Sequence, residues 1–388
     1  MILRKVGVLT GGGDVPGLNV AIKTLTDVLA DHGVQTVGLR RGWASLLALA
    51  EGSSAVPSEW VVPLDRLRVR TVDRTGGTFL HSSRTNPAAV KSKDVPAHLA
   101  AIAPLPNEQG KVDLTKIAAR TIERLGLDAL VAIGGDDTLS FAKRLHLEGV
   151  PVIGIPKTMD NDVPGTTHCI GFSTAVSRSV EMITALRTPA GSHERFLVVE
   201  LFGRDSGETS LTVALLSGAE RAVIPEVPFD MALLCEKLVA DRRGNPSSYA
   251  VVTISEGAKP TDGEVMLRGE ADAYGHRKLG GIGQVVADYL QRETGIGTVS
   301  QHLGYLMRSG PADVLDRMVA LNFARNAAAL LLAGKAGTLM AIVDGCYATQ
   351  PLTIVGGAAR KVDIQRHYDA KEYRPKLDST LGLPMFLE

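Results

Sequence analysis

The 388-residue chain has little cysteine, no excess of charge of either sign, and no long apolar run. Each shortage removes a class of function. The three cysteines, Cys169, Cys235 and Cys346, have no metal-ligand spacing and cannot all pair, so they are read as buried free thiols suited to a reducing compartment. The 42 basic residues are matched by 42 acidic ones, which leaves no electrostatic case for nucleic acid or an anionic membrane as partner. The longest apolar run, AAALLLA at 327–333, is far too short to span a bilayer. The first residues run into the apolar segment VGVLTGGG with no leader-like block. Together these readings predict a soluble, cytoplasmic protein.

Two familiar phosphate-loop signatures are also missing. In GGGDVPGLN, residues 11–19, Pro16 occupies the place of the third glycine of a dinucleotide fingerprint. Gly149 and Gly154 have the Walker separation, but Ile155 stands where glycine-lysine must follow.

Glycine is abundant, at 41 residues, and 45% of the chain is apolar. That length and apolar content accommodate two domains. Short apolar runs ending in turn residues recur: KVGVLTG, ALVAIGG, PVIGIP, FLVVELFG, YAVVTISEG and TLMAIVDG. Helices are predicted between most of them, over 17–31, 137–147, 172–188, 206–217, 229–243, 278–293 and 313–334. Continuous apolar strands alternating with helices give an α/β fold with largely parallel sheets covered on both faces. Ligands then bind beyond the carboxyl ends of the strands. Residues 88–116, polar and broken by proline, read as a surface excursion rather than a domain.

Three strand-end loops carry chemistry. In the first, Pro16 suits the opening turn of a helix with Asp14 as its cap, and Gly11, Gly12 and Gly13 leave backbone N–H groups bare for an anion. The other reading is a tight strand–helix turn with no ligand. In the second, IGGDDTLS at 133–140, Gly134 and Gly135 allow a sharp turn and Asp136 points out where it can hold Mg²⁺ bridging phosphate oxygens. Capping of the next helix by Asp136, Asp137 or Thr138 is expected as well, without accounting for all three. The third loop, GIPKTMDNDVPGT at 154–166, holds Lys157, a point charge suited to a phosphoryl group. Asp160 and Asp162 alternate around Asn161 and can share one face. One can accept a hydroxyl proton while the other stays near metal. A solvated turn is the competing reading for such carboxylates.

With these residues in place, the chain resembles the phosphofructokinase family. GVLTGGGDVPGLN, GGTFLHSSR, IGGDDTL, PKTMDND, GFSTAV, HERFLVVELFGR, SEG and LGYLMRSG appear in family order between residues 7 and 310. The resemblance implies two unequal α/β lobes with the active site in the cleft: a larger lobe of 1–171 plus 306–357 that binds the phosphoryl donor, and a smaller one of 172–305 plus 358–388 that binds sugar phosphate. It implies Mg²⁺-dependent phosphoryl transfer to the 1-hydroxyl of fructose 6-phosphate. Asp160 matches the catalytic base. Thr158 and Asp162 match neighbours that bind sugar and organise the metal, and Asp136 matches the Mg²⁺-associated aspartate. Arg204 matches a residue at the transferring group or substrate, with Phe202 and Gly203 lining the site and Glu256 accepting from a sugar hydroxyl. Tyr305 and Arg308 match the grip on the 6-phosphate, and Arg84 the arginine near the donor phosphates; Gly11, Gly12, Gly13, Gly135, Asp137 and Thr138 complete the donor side. Arg195 matches the arginine that reaches a neighbouring subunit's site, which implies a homodimer or homotetramer. Two positions depart from the family. Val299 stands where a second arginine is common, so that either Gln301 or His302 substitutes or the subsite is weaker or suits a different sugar phosphate, and His81 stands where a small residue is common.

The same resemblance bears on the donor. ATP-dependent members have glycine at the positions of Asp137 and Lys157; pyrophosphate-dependent members have aspartate and lysine, as here. A carboxylate at 137 repels the α-phosphate of ATP by roughly 4 kcal/mol at ~4 Å and an effective dielectric near 20, on the order of a thousandfold. Pyrophosphate ends before it reaches that point, and Lys157 supplies the matching attraction. The expected reaction is reversible, pyrophosphate-dependent phosphorylation of fructose 6-phosphate to fructose 1,6-bisphosphate. The alternatives are an ATP-dependent enzyme, the same chemistry on another sugar phosphate such as sedoheptulose 7-phosphate, and a non-catalytic sugar-phosphate-binding regulatory relative.

Overall fold

The computed structural model describes residues 3–263, 265, 267–268 and 278–381; the last part of the tail assigned to the smaller lobe, 382–388, lies outside the described residues. Two main sheets organise the chain. The larger contains β1 (Lys5–Thr10), β2 (Gln35–Leu39), β3 (Val61–Leu64), β4 (Ala129–Gly134), β5 (Val152–Pro156), β10 (Thr338–Val343) and β11 (Cys346–Pro351). Their order is β11-β10-β5-β4-β1-β2-β3, parallel except for the antiparallel edge pairs β10–β11 and β2–β3. The smaller sheet is wholly parallel, in the order β9 (Thr298–His302), β6 (Phe196–Leu201), β8 (Ala250–Ser255), β7 (Arg221–Val223).

The central strands β4, β6 and β8 are apolar along nearly their whole length and buried at every position, as a sheet covered on both faces requires. Each main sheet has an apolar core on either side: one joins Val6, Val8 and Val131 to Phe323 and Ala324, the opposite one joins Leu130 and Ala132 to Phe141 and Leu145. The smaller sheet repeats the arrangement with Phe196, Val252 and Leu290 on one face and Leu197, Val251 and Ile183 on the other. The covering helices are α1 (Leu18–Asp31), α2 (Thr115–Arg124), α3 (Asp136–Leu147), α4 (Phe172–Ser192), α5 (Glu208–Ser217), α6 (Met231–Gly244), α7 (Ile282–Thr294) and α8 (Val314–Leu332). No helix among the described residues is long and apolar enough to cross a membrane.

The predicted helices all appear, with ends shifted by a few residues. The segment predicted from 278 starts only at Ile282, because Gly280 and Gly281 turn with positive φ and the carboxylate of Glu200 takes the N–H groups of Gly281 and Gly283. Three local expectations are corrected. Asp14 does not cap α1: the helix begins at Leu18, its N-cap is Gly17 at φ 106°, and Pro16 lies in the turn before it. The N-cap of α3 is Gly135, which has no side chain to cap with, so Asp136 and Asp137 enter the first turn itself, where the helix dipole favours negative charge. Cys346 is exposed, because it opens the antiparallel edge strand β11, whereas Cys169 and Cys235 are buried. The excursion at 88–116 pairs Val90–Lys91 with Lys111–Val112 and gathers Leu99, Val112 and Leu114 against Leu47 and Ala50.

One buried carboxylate fastens the helix that leads from the larger sheet into the smaller. Asp316 of α8 is fully buried; it accepts the N–H groups of Gly171 and Thr174 at 2.9 and 2.8 Å and the Thr174 hydroxyl at 2.6 Å, with His168 Nε2 at 3.4 Å. It thereby satisfies the orphan donors at the start of α4. Replacing Asp316 by alanine strands these buried donors and is expected to cost about 3 kcal/mol of unfolding free energy. A lower midpoint in urea denaturation at unchanged slope checks this, and an unchanged midpoint would contradict it.

Candidate active site

The carboxyl ends of β1, β4, β5, β6, β8 and β9 feed loops that meet between the sheets. The first loop leaves β1 with Gly11 N–H donating to the Ile133 carbonyl and Gly12 N–H to the Ser83 carbonyl, both at 3.0 Å. These two N–H groups are therefore not bare, contrary to the sequence expectation: the strand-end ladder and the neighbouring loop consume them. The glycines serve close approach instead. A Cβ on Gly11 would lie 2.5 Å from Thr138 Oγ1, and one on Gly13 would lie 2.6 Å from Arg308 Nη1. Thr138 is buried beneath Gly11 and Gly134, and its hydroxyl has no hydrogen-bond partner among the described residues; its side chain shapes the two glycine turns from below.

Lys157 follows β5 with its backbone N–H on the Gly134 carbonyl, and its Nζ reaches the Gly13 carbonyl at 2.5 Å. One buried lysine thus joins all three strand-end loops, through its ammonium and its backbone N–H. Burial first, and then the nearby Arg308, lower its pKa to about 8 against the opposing pull of Asp14 and Asp162. Arg308 lies against the first loop, with Nη1 3.3 Å from Asp14 Oδ1 and 3.2 Å from the Asp14 carbonyl. Its guanidinium stands over the Tyr305 ring at 4.5 Å. Tyr305, largely exposed, meets Phe202 edge-on at 6.4 Å, and Val299 turns to the apolar core beneath.

The third loop concentrates negative charge. Asp160 takes the backbone N–H of Arg204, and burial, then Asp162, then Glu256 hold its carboxyl well above the ordinary range. Asp162 is raised too, by burial first, with Asp205 and Asp136 adding repulsion and the Thr158 hydroxyl donating to it. The same hydroxyl accepts from Asp160 N–H at 3.1 Å. Glu256, whose backbone N–H bonds the Leu201 carbonyl, is pushed up to about 7 by burial despite the nearby Arg204. Gly257 permits this crossing, since a Cβ there would lie 1.9 Å from the Arg204 carbonyl. Asp136, opposite, accepts Gly356 N–H at 2.8 Å through Oδ1. The loops thus gather Asp136, Lys157, Thr158, Asp160, Asp162, Arg204, Glu256 and Arg308, with Phe202 and Tyr305 at the rim.

Other expected residues sit differently. Arg84 is exposed and lines a cavity of about 580 Å³ beside the first loop, together with Trp60 and Thr85. Asp137 is half-buried in the first turn of α3. His81 adopts φ 58° and gives its carbonyl to the Thr10 hydroxyl, so its role is in the backbone turn. Arg195 precedes β6 and packs on Gly297, whereas Arg204 lies beyond the other end of that six-residue strand. At ~3.3 Å per residue the two are on the order of 20 Å or more apart, so Arg195 stays outside its own chain's cleft.

Sequence reasoning missed the supports beneath these loops. Trp43 Nε1 donates to the Thr138 carbonyl at 3.2 Å. Thr209, in the first turn of α5, donates to the Met159 carbonyl at 2.8 Å. Glu200 is buried at the end of β6 and accepts from Gly281, Gly283 and His302 Nδ1, the last at 2.9 Å. Unlike Gln301, His302 also meets Phe202 edge-on. Burial pushes the Glu200 carboxyl up, but the donors outweigh it and leave it below its ordinary value near 4.5. A depressed carboxyl contributes stability above the unfolded-state value and loses it as pH falls through the folded-state value. Glu200→Gln is therefore expected to flatten the decline of unfolding free energy on acidification below pH about 4.5. Denaturant titrations at several acidic pH values measure this, and parallel declines in parent and variant would refute it.

The sequence model described as Phosphofructokinase matches residues 5–331. A pyrophosphate–fructose 6-phosphate 1-phosphotransferase of Amycolatopsis mediterranei (strain S699) is 37% identical, covering 95% of this chain and 99% of that one. A protein of the same name from Dictyoglomus thermophilum is 36% identical over 96% and 99%, and an ATP-dependent 6-phosphofructokinase of Corynebacterium efficiens is 33% identical over 95% and 98%. In fold, the chain is similar to a pyrophosphate-dependent phosphofructokinase of Marinobacter aquaeolei, with a TM-score of 0.76 at 18% identity, covering 97% of this chain and 90% of that one. Strand-end loops of this composition and relatives of this similarity over nearly the whole length lead to one assignment: the chain belongs to the phosphofructokinase family, a family of phosphotransferases.

Proposed function

We propose that the chain transfers a phosphoryl group from inorganic pyrophosphate to the 1-hydroxyl of fructose 6-phosphate, reversibly. The observation that carries this reading is the span of the third loop. Lys157 at its start reaches the glycines of the donor side, while Asp160, three residues on, faces Glu256 and Arg204 on the other side. A donor and an acceptor can therefore meet across one short segment, the larger lobe taking the donor and the smaller the sugar phosphate.

Asp160 is the general base. A carboxyl raised by burial and like charge is a better proton acceptor than a solvated one, and the Arg204 N–H fixes its direction. Glu256 accepts from a sugar hydroxyl, Thr158 orients both aspartates, and Phe202, Gly203 and Tyr305 line the sugar side. Arg308 is cationic and lies at the junction of the two sides. Lys157, with a pKa of about 8, is largely charged at neutral pH and neutralises the phosphate that is transferred or left behind.

Asp136 and Asp162 fit a magnesium ion. They are hard oxygen donors close enough to repel each other electrostatically, and magnesium is usually bound by one or two carboxylates with water and substrate phosphates completing its shell. Bound there, it would offset the charge of the phosphates.

The donor assignment rests on Asp137 and Lys157 together. Asp137 follows Asp136 in the first turn of α3, where a second carboxylate shortens the anion the loop accepts. Relatives of similar identity named for either donor make this the finer part of the reading. The position of Arg195 supports a homo-oligomer in which it completes a neighbour's sugar-phosphate site.

Asp160→Asn is expected to lower kcat by about a hundredfold or more and to leave both KM values within a few-fold. Retained turnover would remove Asp160 as the base. In a steady-state assay with fructose 6-phosphate and magnesium, the parent should use pyrophosphate and not ATP, with sedoheptulose 7-phosphate as the acceptor control. The double variant Asp137→Gly, Lys157→Gly should gain ATP-dependent turnover and lose pyrophosphate-dependent turnover. Equal failure of parent and double variant with ATP would show that two residues do not set the donor.

A further inference from the structure

The segment after β11 crosses the cleft from behind and touches both of its negatively charged loops. At its start, Gly356 (φ 76°) donates its N–H to Asp136 Oδ1 at 2.8 Å. Four residues on, Arg360 N–H donates to the Asp162 carbonyl at 2.8 Å, and Arg360 Nη1 donates to the Asn161 carbonyl at 2.9 Å. The same guanidinium pairs with Glu208, which is buried in the first turn of α5. At the far end, Val362 N–H donates to Glu226 Oε1 at 3.0 Å, and Glu226 also accepts Gly207 N–H. Seven residues thus bridge the end of β4, the third loop and the start of α5.

The centre of this arrangement is Asn161. It is fully buried and sits in the left-handed region at φ 54°, a conformation asparagine tolerates better than most residues. That turn is what allows Asp160 and Asp162, its two neighbours, to present their carboxylates to one cleft. The polar atoms of Asn161 are held from different directions: Oδ1 takes Cys169 N–H at 2.7 Å, Nδ2 donates to the Thr167 carbonyl and to Glu208 Oε1 at 2.9 and 2.8 Å, and the carbonyl takes Arg360. Glu208 therefore grips Asn161 with one oxygen and Arg360 with the other, and Arg360 closes the ring onto the Asn161 carbonyl.

We propose that residues 356–362 are a strap that sets the geometry of the catalytic loop, with Arg360 as a positioning residue acting through Asn161 and Glu208. The Arg360 guanidinium meets the Asn161 carbonyl and Glu208, so the residue acts through the loop. It fixes the left-handed turn that aims Asp160, while Gly356 fixes Asp136 on the facing loop. This inference rests on the reading of Asp160 as the general base, and its test has an arm that does not.

Three variants separate positioning from bulk stability: Arg360→Met, Glu208→Gln, and the two together. Arg360→Met leaves the buried Glu208 carboxylate uncompensated and lowers the denaturation midpoint; adding Glu208→Gln removes that charge and restores the midpoint. The strap predicts that turnover is not restored with it. In the double variant kcat stays down by about thirtyfold or more, with both KM values within about threefold, because the Asn161 carbonyl still lacks its donor. Recovery of kcat along with the midpoint would make Arg360 a structural ion-pair partner only and overturn the proposal.

The second arm is amide hydrogen exchange on the intact chain. It is expected to show at least tenfold faster exchange across 158–169 in the double variant, with β1 and β6 unchanged. Unchanged exchange in that segment would overturn the strap whatever the activity. If the parent turns over with neither donor, the reaction assignment fails, and the exchange data still decide the strap.

Discussion

The cleft is built around a repulsion. Asp160, Asp162 and Glu256 crowd one space with Asp136 and Asp205 beside Asp162, and burial raises the cost of charge on Asp160, Asp162 and Glu256. Left to relax, such side chains would turn to solvent. They are kept in place by backbone donors and short hydroxyls: Arg204 N–H on Asp160, Gly356 N–H on Asp136, the Thr158 hydroxyl between the two aspartates. Because the repulsion is never fully neutralised by the chain itself, the site favours whatever brings cations to Asp136 and Asp162 or takes up a proton at Asp160. The stored unfavourable charge and the chemistry are thus the same feature.

The cations are placed under the opposite rule. Lys157 is buried with its ammonium on the Gly13 carbonyl, and burial and Arg308 both lower its pKa. An arriving polyanion would relieve both groups at once, since Lys157 and Arg308 flank the same glycine turn. Glycine leaves room there for the guanidinium: a Cβ at Gly13 would lie 2.6 Å from Arg308 Nη1 and push it aside. The carbonyl that Lys157 contacts carries no formal charge, so a phosphate oxygen would form with the ammonium an ion pair that the carbonyl cannot.

Much of this was legible in the sequence, for reasons that differ by element. Strands such as LVAIG and FLVVEL are apolar throughout because they are buried on both faces, and that pattern sets both the parallel sheets and the ends at which loops must be sought. Lys157, Asp160 and Asp162 could be read because they crowd one short loop. The first loop misled: Gly-Gly-Gly suggests free N–H groups, yet Ile133 and Ser83, far away in sequence, accept two of them. The helix caps misled for a related reason, since Asp14 found Arg308 nearly three hundred residues on. Arg360, Glu208 and Glu200 were illegible because nothing local distinguishes a charged residue that supports a loop from one that meets solvent.

The position of Arg195 adds a constraint on assembly. It stands before β6 while Arg204 stands after it, so one strand carries two arginines to opposite ends of the smaller sheet. Only Arg204 can serve the cleft of its own chain. If Arg195 works on a sugar phosphate at all, it must be a neighbour's, and a two-fold axis would then return the favour to its own site. The strand is rigid, buried at every position and paired on both sides, so it would tie the setting of Arg204 in one subunit to the placement of Arg195 in the next. A subunit interface formed at the Arg195 end of that strand would then be part of the sugar-phosphate site rather than a support for it.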